Sequence, residues 1–240
     1  MDIWDDTFKG RHYPPSVILL SVRWYCKYPL AYRMLEEMLK DRGLAASVEI
    51  PDHTTIERWV KRYGPEIEKR LRRQPACISA SWRVDETYIK VRGKWVFLYR
   101  AVDKQGNTVD FLLSEKQDKA AAEGFFEKAI KKKANPVPEK LTTDGHQAYP
   151  WAIKGLKKRK KFKKKVKHRV SKYLNNRIES DHARLKQKLK PMRGFKTFDG
   201  AEKTIAGMEA MLMLKKRQFT HMEYYKTEAD FVHALFQLTA

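Results

Sequence analysis

The chain has 240 residues, and 51 lysines and arginines against 29 aspartates and glutamates leave a formal charge of +22. At 42% hydrophobic and 12% aromatic residues it is too apolar for wholesale disorder, and it is long enough to bury one or two cores. Two cysteines, Cys26 and Cys77, exclude a disulfide framework or cysteine-rich zinc module, and no apolar run approaches the ~18 residues of a membrane span. The seven histidines lie scattered, without the spacing of zinc ligands. An acidic start, Met-Asp-Ile-Trp-Asp-Asp, does not resemble a secretory leader, so a cytoplasmic location without a membrane partner is expected. The pI near 9.9 points to a polyanion as partner, nucleic acid foremost.

In chain order, Ser16 can cap a helix that runs to about Lys27 and stops at Pro29. A second helix is expected from Leu30 to Arg42, with Leu35, Met38 and Leu39 on one face and Gly43 as its stop. Thr54-Thr-Ile-Glu57 has the form of a capping box, and Ile56, Trp59, Val60 and Tyr63 follow at helical spacing. Thr55, Arg58, Lys61 and Arg62 then face outward, a polar and basic face suited to a DNA major groove. Three helices ending in a basic one suggest a helix-turn-helix, and a plain helical bundle with a solvated face fits the same pattern. Gly64-Pro65 is expected to break the third helix, with a short one over Glu66–Arg73.

The period then changes from helical to alternating. Trp82–Val91, Lys94–Asp103 and Asn107–Ser114 are rich in Val, Ile, Tyr, Phe and Trp, and turn residues Arg92-Gly93 and Lys104–Asn107 separate them, as in an antiparallel meander. A helix over Lys119–Lys133, a strand over Lys140–Thr143, a helix over His146–Lys154 and a basic strand near Lys164–His168 follow. Asn176–Leu189 and Glu202–Gln218 read as helices, the methionines of the last serving as core filler. The layout is α/β, a mixed sheet flanked by helices, with an all-α N-terminal part. The expected division is 1–75 for the DNA-binding helices, 76–220 for the α/β domain and 221–240 for a helical extension.

The charge is unevenly placed. Residues 1–80 carry 14 basic and 11 acidic side chains, whereas the 34 residues Gly145–Ile178 carry 13 basic ones and no acid. Within this tract Phe162, Val166 and Val170 recur every fourth residue, and Lys165, Lys167 and Arg169 alternate with Val166, His168 and Val170. Such regularity favours a folded basic edge that binds phosphate over a solvated loop, and phosphate binding of this kind depends steeply on salt.

Three acids stand out by position. Asp85 interrupts an apolar strand, Asp144 ends a strand before Gly145, and Glu179 opens a helix. Each also has a plain structural reading: a solvent-facing strand residue, a turn residue, and the third position of a helix capped by Asn176. If a strand, a neighbouring strand end and a helix crossing the same edge bring them together, three carboxylates repel one another unless a cation intervenes. Hard oxygen ligands select Mg²⁺ or Mn²⁺, and a two-ion site of this type suits phosphodiester transfer. Lys186 lies seven residues after Glu179, about 20° short of two full turns, so the two share a face with His182 and Ala183 between them. A cation there is placed to meet a phosphate backbone, although an ordinary exposed lysine fits as well.

Trp82-Arg-Val-Asp-Glu-Thr-Tyr-Ile-Lys-Val91, the Leu98-Tyr-Arg-Ala-Val-Asp103 core, Thr143-Asp-Gly-His-Gln-Ala-Tyr149, His168–Lys186, Gly194-Phe-Lys196 and Thr204-Ile-Ala-Gly-Met-Glu209 together resemble the DDE transposases of small prokaryotic insertion sequences. The similarity is to insertion-sequence family six, runs from about residue 10 to Gln218, and includes the 34 residues between Asp144 and Glu179. It implies a ribonuclease-H-like catalytic core with Asp85, Asp144 and Glu179 as the metal-binding triad, and Lys186 against DNA near the transferred strand. It further implies double-stranded DNA as partner, both terminal inverted repeats and target, and a homodimer or higher homo-oligomer, associated with the nucleoid when bound. Nicking to free 3′-hydroxyls and joining them to target DNA, by a replicative route to a cointegrate, is the implied reaction. A DNA-binding regulator with a degenerate core, or a ribonuclease-H-like nuclease, are the rival readings. The Lys-dense tract at 157–167 and the extension beyond Gln218 depart from the family's commonest pattern.

Overall fold

The computed structural model describes residues 6–41, 49–132, 134–171 and 176–238. The chain forms two compact units. One comprises Met1–Pro75, Gln187–Met192 and Thr197–Ala240, the other Ala76–Lys186 and Arg193–Lys196. No helix among the described residues is long and apolar enough to cross a membrane.

The first unit holds helices α1 (Pro15–Lys27), α2 (Tyr32–Asp41) and α3 (His53–Leu71). α1 starts at Pro15, one residue before the expected cap, because proline at a first helical position gives up an amide that has no partner there anyway. The expected capping box at Thr54 is not formed. Asp52 caps α3, its Oδ1 accepting from the Thr55 amide at 2.7 Å and its Oδ2 from the Thr54 hydroxyl at 2.9 Å, while Glu57 pairs with Lys61. Nor does Gly64-Pro65 break the helix, which continues to Leu71. An internal proline costs about 3 kcal/mol. Fully burying Ile67 and Leu71 beyond it returns roughly 1.5–3 kcal/mol each, enough to carry the helix through.

The helix Phe198–Lys215 belongs to this unit and is buried almost all round, Met208, Met211 and Met213 included. A Cβ on Gly64 would stand 3.3 Å from the Gly207 Cα, so this helix crosses α3 at a pair of glycines. The C-terminal helix Glu228–Leu235 starts in a capping box between Thr227 and Asp230. Past its end, Phe236 is fully buried against Phe8 and the Arg70 guanidinium, so the C-terminal segment packs within the first unit.

The second unit is a mixed five-stranded sheet among the described residues. Strands β1 (Ser81–Val91), β2 (Lys94–Asp103) and β3 (Thr108–Ser114) form the antiparallel meander, and β4 (Lys140–Thr143) and β5 (Lys167–Val170) run parallel to β1. The order β3-β2-β1-β4-β5, with helices packed on the sheet, is a ribonuclease-H-like α/β architecture. Helices α4 (Lys119–Lys131) and α5 (Ala148–Lys158) cover one face, where Trp82, Val84, Tyr99, Phe125, Phe126, Tyr149 and Leu156 form the core. α6 (Asn176–Leu189) has the expected bounds. In sequence order it precedes the first unit's Phe198–Lys215, hereafter α7.

The basic tract is folded. Phe162 and Val166 enter the core, and the Lys157 ammonium donates to the Val166 carbonyl at 2.7 Å. A turn closed from the Val166 amide to the Lys163 carbonyl uses the residues before Lys167, so β5 starts later than the alternation suggests. Val170 is exposed on this edge strand.

Candidate active site

The register of the sheet sets the first two carboxylates side by side. Arg83 pairs with Thr142 across parallel strands β1 and β4, so two residues further on Asp85 comes level with Asp144, just past the end of β4. Gly145 follows at φ +103°, a conformation favouring glycine, and a Cβ there would meet the Val170 Cγ1 at 2.9 Å. The turn lets the Asp144 Oδ1 accept from the His146 amide at 3.0 Å.

Carboxylate oxygens of Asp85, Glu86 and Asp144 all lie within 4.8 Å of one another. Glu86 is the member that sequence reasoning missed. As the neighbour of Asp85 on a strand its side chain leaves on the other face, and only the tertiary structure bends the two carboxylates back toward one centre. The Tyr149 hydroxyl and the Gln117 amide (3.3 Å) donate to Glu86. Both anchors come from other elements, and nothing in the local sequence signals them.

The electrostatics follow from this crowding. Asp85 is pushed up to about 7, first by burial, then by the charges of Asp144 and Glu86, with Glu179 adding to them and a backbone bond at Glu86 opposing. Burial also raises Glu86 above the usual carboxylate range, against the donation from Tyr149. Oxygen-only donors crowded in this way suit a hard divalent cation, which relieves the repulsion. Asp85 and Asp144 are thus together with Glu86, whereas Glu179 stands outside that 4.8 Å group on α6 and adds only the smallest of the contributions that raise Asp85.

Helix α6 carries the rest. Its Asp181 is buried in an ion pair with Arg100 at 2.7 Å, and Arg100 is the β2 residue directly opposite Asp85. His182, also buried, brings its Nδ1 to 3.7 Å from the Asp85 Oδ2. Glu179, Ala183 and Lys186 are exposed, so the shared face expected from spacing holds for these three, whereas His182 points inward. Neither Arg100 nor Asp181 was singled out by sequence, because a buried ion pair between elements 81 residues apart leaves no local pattern.

Of the expected DNA-contacting residues, Lys165, Lys167 and Arg169 are exposed at and just before β5 in the second unit. Thr55, Arg58, Lys61 and Arg62 lie on α3 in the first unit. There Arg58 donates to the Thr55 hydroxyl at 2.8 Å, Lys61 pairs with Glu57, and the Arg62 guanidinium stands 5.6 Å from the Tyr63 ring centre. Arg58 and Arg62 are exposed or half-buried alongside Thr55 and Lys61, all within reach of solvent.

A family model described as a DDE domain matches residues 79–218. The transposase for insertion sequence-like element IS431mec from Staphylococcus aureus is 35% identical over 219 residues, which is 91% of this chain and 92% of that protein. The transposase for insertion sequence element IS257 in transposon Tn4003, also from Staphylococcus aureus, is similar to the same extent. Among solved structures, the HTLV-2 integrase catalytic core domain in complex with magnesium is 18% identical with a TM-score of 0.42, over 61% of this chain and 99% of its own.

Proposed function

Because the chain belongs to the DDE transposases of prokaryotic insertion sequences, in the group known as insertion-sequence family six, we propose that it binds the terminal inverted repeats of its element, nicks them to free 3′-hydroxyls and joins those ends to target DNA. The observation that carries this reading is the meeting of the Asp85, Glu86 and Asp144 carboxylates within 4.8 Å, beside a helix that brings Glu179 into electrostatic range. Asp85, Asp144 and Glu179 are the residues to hold Mg²⁺ or Mn²⁺. When bound, such ions supply the charge that activates an attacking hydroxyl and stabilises a leaving phosphodiester oxygen.

The chain's own residues position and neutralise. Asp85 must be ionised to hold a cation, and the His182 imidazole faces it from α6 at 3.7 Å. Lys186, exposed two turns from Glu179, meets the DNA backbone beside the reacting phosphate. Lys165, Lys167 and Arg169 extend that cationic surface along the sheet edge, and the α3 face with Thr55, Arg58, Lys61 and Arg62 reads the element's ends. No protein–DNA covalent bond is needed, since positioning and electrostatics suffice for in-line transfer. Two ends must be joined, so a homodimer or larger assembly acts, and the outcome we infer is replicative and cointegrate-forming.

The test uses the full chain, the duplex ends that flank its own reading frame, and Mg²⁺. Wild type should nick the ends and transfer them to a plasmid, whereas Asp85→Asn should bind the ends equally and leave no cleaved product. Cleavage by Asp85→Asn at more than about a hundredth of the wild-type rate would overturn the assignment.

A further inference from the structure

The outer half of the β1–β2 hairpin carries exposed rings that catalysis by carboxylates does not explain. Tyr88 is 53% exposed and Trp95 63%, and Phe97 is half-buried beside them. The register pairs Glu86 with Tyr99, Tyr88 with Phe97 and Lys90 with Trp95, so all six stand on one face of the sheet. Tyr88 lies 5.4 Å from Phe97 and 6.5 Å from Trp95 between ring centres, and the Lys90 ammonium is 6.0 Å from the Trp95 ring. The result is an aromatic ridge that starts two residues from Glu86 and leads away from the carboxylate cluster.

The ridge is held rigidly. The hairpin turns through Arg92 (φ 50°) and Gly93 (φ 78°). Its β1 edge is clamped by segment 193–196, the Phe195 amide donating to the Lys90 carbonyl and the Arg92 amide to the Phe195 carbonyl, both at 2.8 Å. The clamp depends on Gly194, at φ +111°, where a Cβ would stand 2.8 Å from the Lys90 oxygen. Large rings left in water on a fixed, twice-paired support are placed for a partner rather than spare from folding.

We propose that this ridge is a stacking platform for unpaired DNA bases next to the scissile phosphate, a site that rests on the transposase reading above. Residues 87–98 contain Lys90, Arg92 and Lys94 and no acid, so the hairpin attracts a polyanion. Intact duplex offers phosphates to the cations but nothing to the rings, because its base faces are already stacked. An unpaired strand offers both phosphates and free base faces. Tyr88 shares its strand face with Glu86, two residues or about 7 Å away along β1. That puts the platform beside the carboxylate cluster, within reach of the nucleotides next to the reacting bond.

The experiment compares binding of fluorescein-labelled (dT)20 and a 20-base-pair duplex of unrelated sequence by anisotropy, with EDTA present so that no chemistry contributes. Tyr88→Ala/Trp95→Ala should lose about tenfold or more in affinity for (dT)20 and stay within twofold of wild type for the duplex. Tyr88→Phe/Trp95→Phe, which keeps an aromatic face at both positions, should restore most of the (dT)20 binding. Should the double alanine variant lose its native circular dichroism, Trp95→Ala alone, at the more exposed ring, gives the same comparison. Unchanged (dT)20 binding overturns the platform, as does an equal loss on both probes by a natively folded variant, or a change of oligomeric mass with (dT)20 affinity intact. The two readings separate cleanly: if Asp85→Asn still cleaves, the transposase assignment falls while the binding result stands. If the ridge variants bind (dT)20 normally, only the platform falls.

Discussion

Asp85→Asn should stabilise the metal-free protein even as it destroys cleavage. In the folded chain the Asp85 carboxyl is pushed from its ordinary 3.8 up to about 7 by burial and by the neighbouring charges of Asp144 and Glu86. Below pH 3.8 both folded and unfolded chains hold the proton, and the group contributes nothing. Between 3.8 and 7 the unfolded chain releases the proton while the folded one retains it, so stability falls as pH rises, and above 7 the full penalty remains. At about 1.36 kcal/mol per pH unit the penalty is roughly 1.6 kcal/mol at pH 5 and on the order of 4 kcal/mol at pH 8. Asparagine carries no such charge, but it loses the attraction to His182 at 3.7 Å, so a net gain of about 2–4 kcal/mol is expected at pH 8 and about 1 kcal/mol at pH 5. Urea unfolding in EDTA at the two pH values, followed by dichroism, measures both. Added Mg²⁺ at pH 8 should raise the wild-type midpoint and leave the variant's unchanged, since a ligand stabilises only a state that binds it. A gain at pH 8 no larger than that at pH 5 would refute the account of the crowded carboxylates.

Two further variants test the frame around that cluster. Arg100→Met leaves the Asp181 charge buried without its 2.7 Å partner and should cost about 3–5 kcal/mol in thermal unfolding, most of it recovered in Arg100→Met/Asp181→Leu; a loss under about 1 kcal/mol would remove the pair from the support of α6. Lys165→Ala/Lys167→Ala/Arg169→Ala should lower the slope of log affinity against log salt for duplex DNA by up to about 2.7, or about 0.9 for each phosphate no longer neutralised, as read by anisotropy between 50 and 300 mM salt (roughly the useful range). An unchanged slope would move the phosphate contacts off the β5 edge.

What the sequence makes legible here is what short-range chemistry encodes. The alternation of Trp82–Val91 and the turn at Arg92-Gly93 fix β1 and β2 almost to the residue, because a strand buried on one face must repeat every second position. An aspartate in such a strand, and another at a strand end before glycine, are conspicuous for the same reason. Caps and breaks are less legible, because they are decided by competition. Asp52 starts α3 before Thr54 could cap it, its carboxylate taking the Thr55 amide and the Thr54 hydroxyl, and Pro65 stays helical because Ile67 and Leu71 are fully buried beyond it. Least legible are partners set by tertiary structure alone. Glu86 joins Asp85 and Asp144 through a hydroxyl on α5, and Arg100 finds Asp181 across 81 residues of chain, with no periodicity to betray either. Sequence alone also groups the helix expected over Glu202–Gln218 with the sheet, whereas the helix forms over Phe198–Lys215 and packs into the first unit around Gly64 and Gly207, a crossing visible only as two glycines far apart in the chain.

Helix α6 explains how the glutamate proposed as a metal ligand can be both exposed and fixed. At 100° per residue, its buried residues Ile178, Asp181, His182 and Leu185 fall within an arc of about 100°. Glu179 and Lys186 fall together, about 100° from the middle of that arc and so about 50° outside its edge. A residue at the centre of the arc would incur the desolvation cost of a buried charge, and one opposite it would point away from the sheet. Only the flank beside the arc lets a carboxylate reach toward Asp85 while staying in contact with water. Because Asp181 is tied to Arg100 and His182 stands beside Asp85, the helix cannot roll by even one residue without breaking a buried ion pair. Rotation by a single position would carry Glu179 into the interior or out to solvent, so the inward pair determines which acid stands beside the carboxylate cluster.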